Sequence, residues 1–145
     1  MQKRYHLRFD LKPVQQARPR ARRTKFGVQL YDPIKVKKFK QELGLLAKQQ
    51  WHQEPLEGAL RVTINFYRDV QKSISKKERG LRLSGAHRPT VKPDIDNYIK
   101  SALDGLNGVI WIDDNQIISL HSDKFYSEKP YIDLIIEKLE ENDDN

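Results

Sequence analysis

The run Lys92-Pro-Asp-Ile-Asp-Asn-Tyr-Ile-Lys-Ser-Ala-Leu-Asp-Gly-Leu-Asn-Gly-Val-Ile-Trp-Ile-Asp-Asp-Asn-Gln-Ile117 decides how the rest of the chain is read. Ile95, Ile99, Ala102, Leu103 and Leu106 recur on one helix face, and Asn107-Gly108 is a stop signal. Pro93 disfavours helix at Lys92 and leaves Asp94 free to start one. Acidic pairs flank the helix: Asp94 with Asp96 before it, Asp113 with Asp114 after it. An N-cap and the helix dipole explain the first pair; they do not explain the second. A helix to Asn107 runs ~19 Å at 1.5 Å per residue. The chain from Asn107 to Asp114, if extended, covers most of the way back. The expectation is therefore that Asp113 or Asp114 lies beside Asp94 and Asp96. Such carboxylates suit a hard cation such as Mg²⁺, which activates water and stabilises charge on a phosphodiester. Helix caps followed by an ordinary Asp-rich turn remain the alternative. Lys100, four residues after Asp96, reads as an i,i+4 ion pair, as a cation beside a scissile phosphate, or as both.

The surrounding charge favours a polyanionic partner. Net charge is +7 in 145 residues. Residues 1–92 hold 23 Lys and Arg against 7 Asp and Glu, a balance of +16, and residues 93–145 hold 4 against 13, a balance of −9. A basic region for a nucleic-acid backbone beside an acidic region for a metal fits a nuclease. A solvated surface with an acidic tail explains only part of this, since Glu140, Glu141, Asp143 and Asp144 supply just four of those 13 acids. Disulfides and thiolate ligands are excluded by the absence of cysteine. No apolar run approaches the ~18 residues of a membrane span, so the expectation is a soluble cytoplasmic protein with no membrane partner.

In chain order, residues 4–12 alternate as a strand. A proline-broken basic segment follows, in which Arg18, Arg20, Arg22, Arg23 and Lys25 are candidates for phosphate contact. Phe26–Tyr31 is expected to pair back on the first strand. Asp32-Pro33 reads as N-cap and first helical position. The resulting helix carries Val36, Phe39, Leu43, Leu46 and Ala47 on its inner face to about Gln50. Residues 59–67 alternate as a half-buried strand. Residues 68–92 read as a mobile basic loop, with Ser75 and Glu78 capping a short helix that Gly85 ends. Its Lys76, Lys77, Arg79, Arg88 and Lys92 are further candidates for DNA contact. Two strands, to about Tyr126 and over Tyr131–Leu139, complete an α+β domain with a mixed sheet and two main helices. The domain is taken as residues 1–139, with 140–145 as an acidic tail.

Lys92-Pro-Asp-Ile-Asp-Asn-Tyr-Ile-Lys100, Leu103-Asp-Gly-Leu-Asn-Gly108 and Ile112-Asp-Asp-Asn-Gln-Ile117 together resemble the RusA family of Holliday-junction resolvases, and the Arg-Pro-Arg at 18–20 resembles its basic N-terminal segment. The resemblance implies a crossover junction endodeoxyribonuclease of DNA recombination and repair. It also implies Mg²⁺ (with Mn²⁺ as a substitute) on Asp94, Asp96 and Asp114, with Asp113 as the other choice, and Lys100 as the catalytic lysine. A homodimer making paired symmetric nicks in a four-way junction follows from the same likeness. Two other readings stay open: a non-catalytic DNA-binding or architectural protein whose aspartates are caps and turns, and a nuclease for other branched structures.

Overall fold

Alternating burial over residues 60–66, with Leu60, Val62, Ile64 and Phe66 at 0–1% exposure, makes one interior strand the spine of the protein. The computed structural model describes residues 3–140. In chain order these form β1 (Lys3–Phe9), β2 (Arg20–Thr24), β3 (Gly27–Tyr31), α1 (Ile34–Gln50), β4 (Leu60–Asp69), α2 (Lys76–Leu83), α3 (Ile95–Leu106), β5 (Ile117–Ser127) and β6 (Tyr131–Lys138). The main sheet has the order β1-β6-β4-β5 and is mixed: β4 pairs antiparallel with β6 and parallel with β5. Of the expected tail, only Glu140 falls among the described residues.

One face of the sheet carries the core. Phe39, Leu43 and Ala47 of α1 and Tyr98, Ala102, Leu103 and Leu106 of α3 are buried in the same apolar cluster as β4 and β6, and Val36 of α1 is buried as well. Phe66 and Tyr98 stack with ring centroids 5.1 Å apart. The helices cross closely because glycines meet there: a Cβ on Gly105 would lie 3.2 Å from both the Lys40 carbonyl oxygen and Leu43 Cδ2. Gly105→Leu is therefore expected to cost about 2 kcal/mol by overpacking, read as a lower urea midpoint with the slope unchanged.

The opposite face is polar and is crossed by a stack of rings. Arg8 lies 3.7 Å over Tyr131, Tyr131 stacks on Tyr67 at 4.0 Å, Tyr67 on Phe125 at 4.8 Å, and Arg88 closes the row 3.9 Å over Phe125. Burial and the neighbouring Tyr131 push the Tyr67 hydroxyl up to about 12.

Two expectations need correction. Phe26–Tyr31 does not pair with β1; Gly27–Tyr31 pairs with Arg20–Thr24 in a separate two-stranded hairpin. Asp32 does not cap α1, because Pro33 is the N-cap residue and the Asp32 carboxylate binds Lys40 and Gln16 instead. Within residues 68–92 the expected short helix is present. Ser75 Oγ accepts the Glu78 N–H at the start of α2, as its sequence indicates, and Gly85 follows the helix at φ 87°. Glu78 then gathers Arg82 and His87, and Arg82 lies over Tyr126 of β5.

Candidate active site

Asp94 is the N-cap residue of α3 and Asp96 lies in its first turn; both are exposed. The Asp94 carboxylate makes no capping hydrogen bond, and among the described residues Asp96 Oδ1 accepts only the neighbouring Asn97 N–H, at 3.0 Å. Two cations that sequence reading passed over fix the approach to this turn. Lys124 Nζ donates to the Val91 and Pro93 carbonyls at 3.0 Å each, and Arg68 Nη1 donates to that of Lys92 at 3.0 Å. Lys124 sits in β5 and Arg68 in β4, so the sheet itself holds the chain entering α3. The basic segment is fastened to the same helix: the Gln16 N–H donates to the Asn97 carbonyl at 2.8 Å and Ser101 Oγ donates to that of Val14.

The second acidic pair stands at the other end of α3. After the C-cap residue Asn107 the chain curls rather than extends, with the Val109 and Ile110 N–H groups both donating to the Leu106 carbonyl and the Gly108 N–H to that of Trp111. Asn107 receives the indole N–H of Trp111 at 2.6 Å and donates to Asp113 Oδ1 at 3.4 Å. On a short 3-10 turn, Asp114–Gln116, the Gln116 N–H donates to the Asp113 carbonyl, and Gln116 Oε1 accepts the Ile112 and Asp113 N–H groups. Gln116 Nε2 also donates to the Leu56 and Gly58 carbonyls. The Asp113 carboxylate is thus held by Asn107, whereas Asp114 has no side-chain partner among the described residues. Because α3 has 12 residues, the acidic pairs are separated by ~18 Å along its axis. The expected return within one chain does not occur, and no three acidic or histidine side chains gather for a metal among the described residues.

Lys100 makes no ion pair with Asp96 within 4 Å. It lines a cavity of about 560 Å³ between α1, α3 and the basic segment, together with Arg18, Asn97 and Asp104. Lys40 crosses the floor, 2.7 Å from Asp32 and 3.2 Å from Asp104. Its hydrogen bond, reinforced by that of Gln16 and by the charge of Lys100, holds the Asp32 carboxyl below the usual range despite partial burial. Burial lowers the Lys40 ammonium, but its bonds to the two aspartates outweigh this and raise it above its usual value.

These shifts give a prediction. Asp32 contributes stability that is present above its unfolded value of about 3.9 and lost as pH falls through its lower folded value. Lys40 contributes stability present below about 10.4 and lost as pH rises through its higher folded value. Lys40→Met, which leaves two facing carboxylates, is expected to cost about 2 kcal/mol at pH 7, discounted for the partial exposure of Asp104. The deficit should shrink below about pH 4, as urea titrations at the two pH values would show.

The sequence matches the family described as Endodeoxyribonuclease RusA over residues 10–137. The chain belongs to the RusA family. It is also 40% identical over 129 residues to the Bacillus subtilis (strain 168) protein YqaN, itself described as uncharacterized, across 88% of this chain and 91% of that protein. RusA proteins are DNA endonucleases that act on junctions and are generally dependent on a divalent metal.

Within this RusA fold the basic candidates fall into three groups. Arg20, Arg22, Arg23 and Lys25 stand on the exposed β2–β3 hairpin, while Arg18 lies at its base beside Lys100. Lys76 and Lys77 are exposed at the start of α2, with Arg79 half-buried behind them. Lys92 is exposed immediately before Asp94. Arg88 differs: its guanidinium is engaged by Asp123, the Lys124 carbonyl and Phe125, which makes it a fixed part of the sheet surface. No helix among the described residues is long and apolar enough to cross a membrane.

Proposed function

We propose that the protein is a Mg²⁺-dependent endonuclease that resolves four-way DNA junctions by paired symmetric nicks, as a homodimer whose active sites each draw carboxylates from both copies. The observation that carries this reading is the separation of Asp94 and Asp96 from Asp114 by the length of α3. One chain thereby offers two half-sites. An isologous pair with antiparallel α3 helices brings Asp114 of the partner subunit to Asp94 and Asp96, and symmetry does the same at the second site. Exposed apolar side chains support such an interface. Ile112, Ile118 and Leu120 are 56%, 68% and 44% exposed near the Asp114 end, and Val91 is 54% exposed near the Asp94 end.

The donors fit the ion. Asp94, Asp96 and Asp114 present carboxylate oxygens that capping does not consume, as a hard cation requires. Mn²⁺ accepts the same oxygen ligands. When bound, the cation supplies Lewis-acid polarisation and a water of lowered pKa. Lys100, with no side-chain hydrogen bond or ion pair among the described residues, offers positive charge to the phosphate as negative charge develops there. Arg18, Arg20, Arg22, Arg23, Lys25, Lys76, Lys77, Arg79 and Lys92 supply backbone affinity, with Arg88 bracing the surface beside them.

The test compares a labelled four-way junction with matched linear duplex, with and without Mg²⁺. Paired nicks at symmetric positions, confined to the junction and dependent on the metal, are expected. Tight junction binding without cleavage in Mg²⁺ or Mn²⁺ would replace this reading with an architectural role.

A further inference from the structure

The β2–β3 hairpin does not fit the economy of the rest of the fold. All ten of its strand residues are exposed, although an isolated two-stranded ribbon is marginal in water. Its tip is the two-residue turn Lys25-Phe26, closed by the Thr24–Gly27 pair. Thr24 Oγ1 donates to the Gly27 carbonyl at 3.0 Å and accepts the Phe26 N–H at 3.3 Å; Gly27 leaves the turn at φ 118°, where a side chain is disfavoured. The turn is therefore built to hold Phe26 outward, and Phe26 is 96% exposed. A phenyl ring at a tip where Asn or Gly is the usual choice contributes nothing to the packing of this chain.

Its surroundings identify what it meets. Residues 11–31 contain six Lys and Arg and no Asp or Glu. Arg20 and Arg22 share one face of the ribbon with Tyr31 and Gln29, and Arg23 lies with Val28 and Leu30 on the other. Two such hairpins would repel each other, whereas a nucleic-acid backbone complements them on both faces. Basic ribbons enter DNA grooves, and apolar side chains that unstack base steps are characteristic of proteins that kink the duplex.

We propose that Phe26 is a wedge, carried on a cationic arm, that stacks into the opened base step at the branch point of the DNA. This rests on the junction-nuclease reading and extends it to how the branch is recognised. Stacking on a base predicts roughly a tenfold loss of junction affinity in Phe26→Ala, with linear-duplex affinity nearly unchanged.

The experiment is permanganate footprinting of thymines placed at the crossover of a four-way junction, without divalent metal, using wild type, Phe26→Ala and Phe26→Trp. Wild type and Phe26→Trp should make the crossover thymines more reactive than in free junction, while Phe26→Ala returns them towards the free level. Equal reactivity with wild type and Phe26→Ala overturns the wedge while leaving nuclease action standing. A wild-type protein that neither binds nor cuts the junction overturns both readings. Loss of folding or a change of oligomeric state in Phe26→Ala would show that the ring is a protein contact, and also overturns the proposal.

Discussion

Asp96→Asn is expected to lower Mg²⁺-dependent junction cleavage by about a thousandfold or more, a loss on the scale of removing one preorganised electrostatic group, while junction affinity stays within about threefold. The substitution keeps the shape of the side chain and its place in the first turn of α3, including the oxygen that accepts the Asn97 N–H. It removes the negative charge and with it the affinity for a hard cation. Because Asp96 is exposed, the only stability cost is its favourable position against the helix dipole, about 0.5 kcal/mol. Removing a negative charge near DNA cannot weaken backbone contacts, so binding is retained or slightly strengthened. Single-turnover cleavage and a binding titration under one salt condition separate the two effects. Cleavage within tenfold of wild type would remove Asp96 from the reacting centre.

Elements whose identity depends on local pattern were legible in the sequence. Strand β4 and helices α1 and α3 show their periodicity plainly, and Ser75 and Gly85 bracket α2 through their own capping chemistry. What the sequence conceals is direction after a stop signal. Gly108 ends α3, but whether the chain then returns or curls depends on Trp111, whose indole is 0% exposed and bonded back to Asn107. Burying that indole holds Asp113 beside the helix terminus it has just left. The same limit applies to Asp32, whose N-cap spacing is correct but whose carboxylate is claimed by Lys40, a residue two turns along α1. Arg68 and Lys124 carry no motif; they matter because parallel pairing of β4 with β5 sets both beside residues 91–93. Such long-range placements follow from topology and leave no local mark.

Mixing two inactive variants, Asp96→Asn and Asp114→Asn, is expected to restore nicking. If each site combines Asp94 and Asp96 of one copy with Asp114 of the other, a heterodimer carries one site with both substitutions and one with neither. Random pairing makes half the dimers mixed, so about a quarter of all sites regain activity. Each active heterodimer cuts one strand, so the products are single nicks rather than resolved duplexes, which denaturing and native gels distinguish. A site contained in one chain predicts the opposite. Every chain in the mixture then carries one inactivating change, and no pairing rescues it. The variants must be mixed under conditions that let subunits exchange, confirmed with a tagged copy. With exchange shown, no recovery would confine all three carboxylates to one chain, which would require Asp114 to travel nearly the length of α3, against the hydrogen bonds that hold its turn to Leu56 and Gly58.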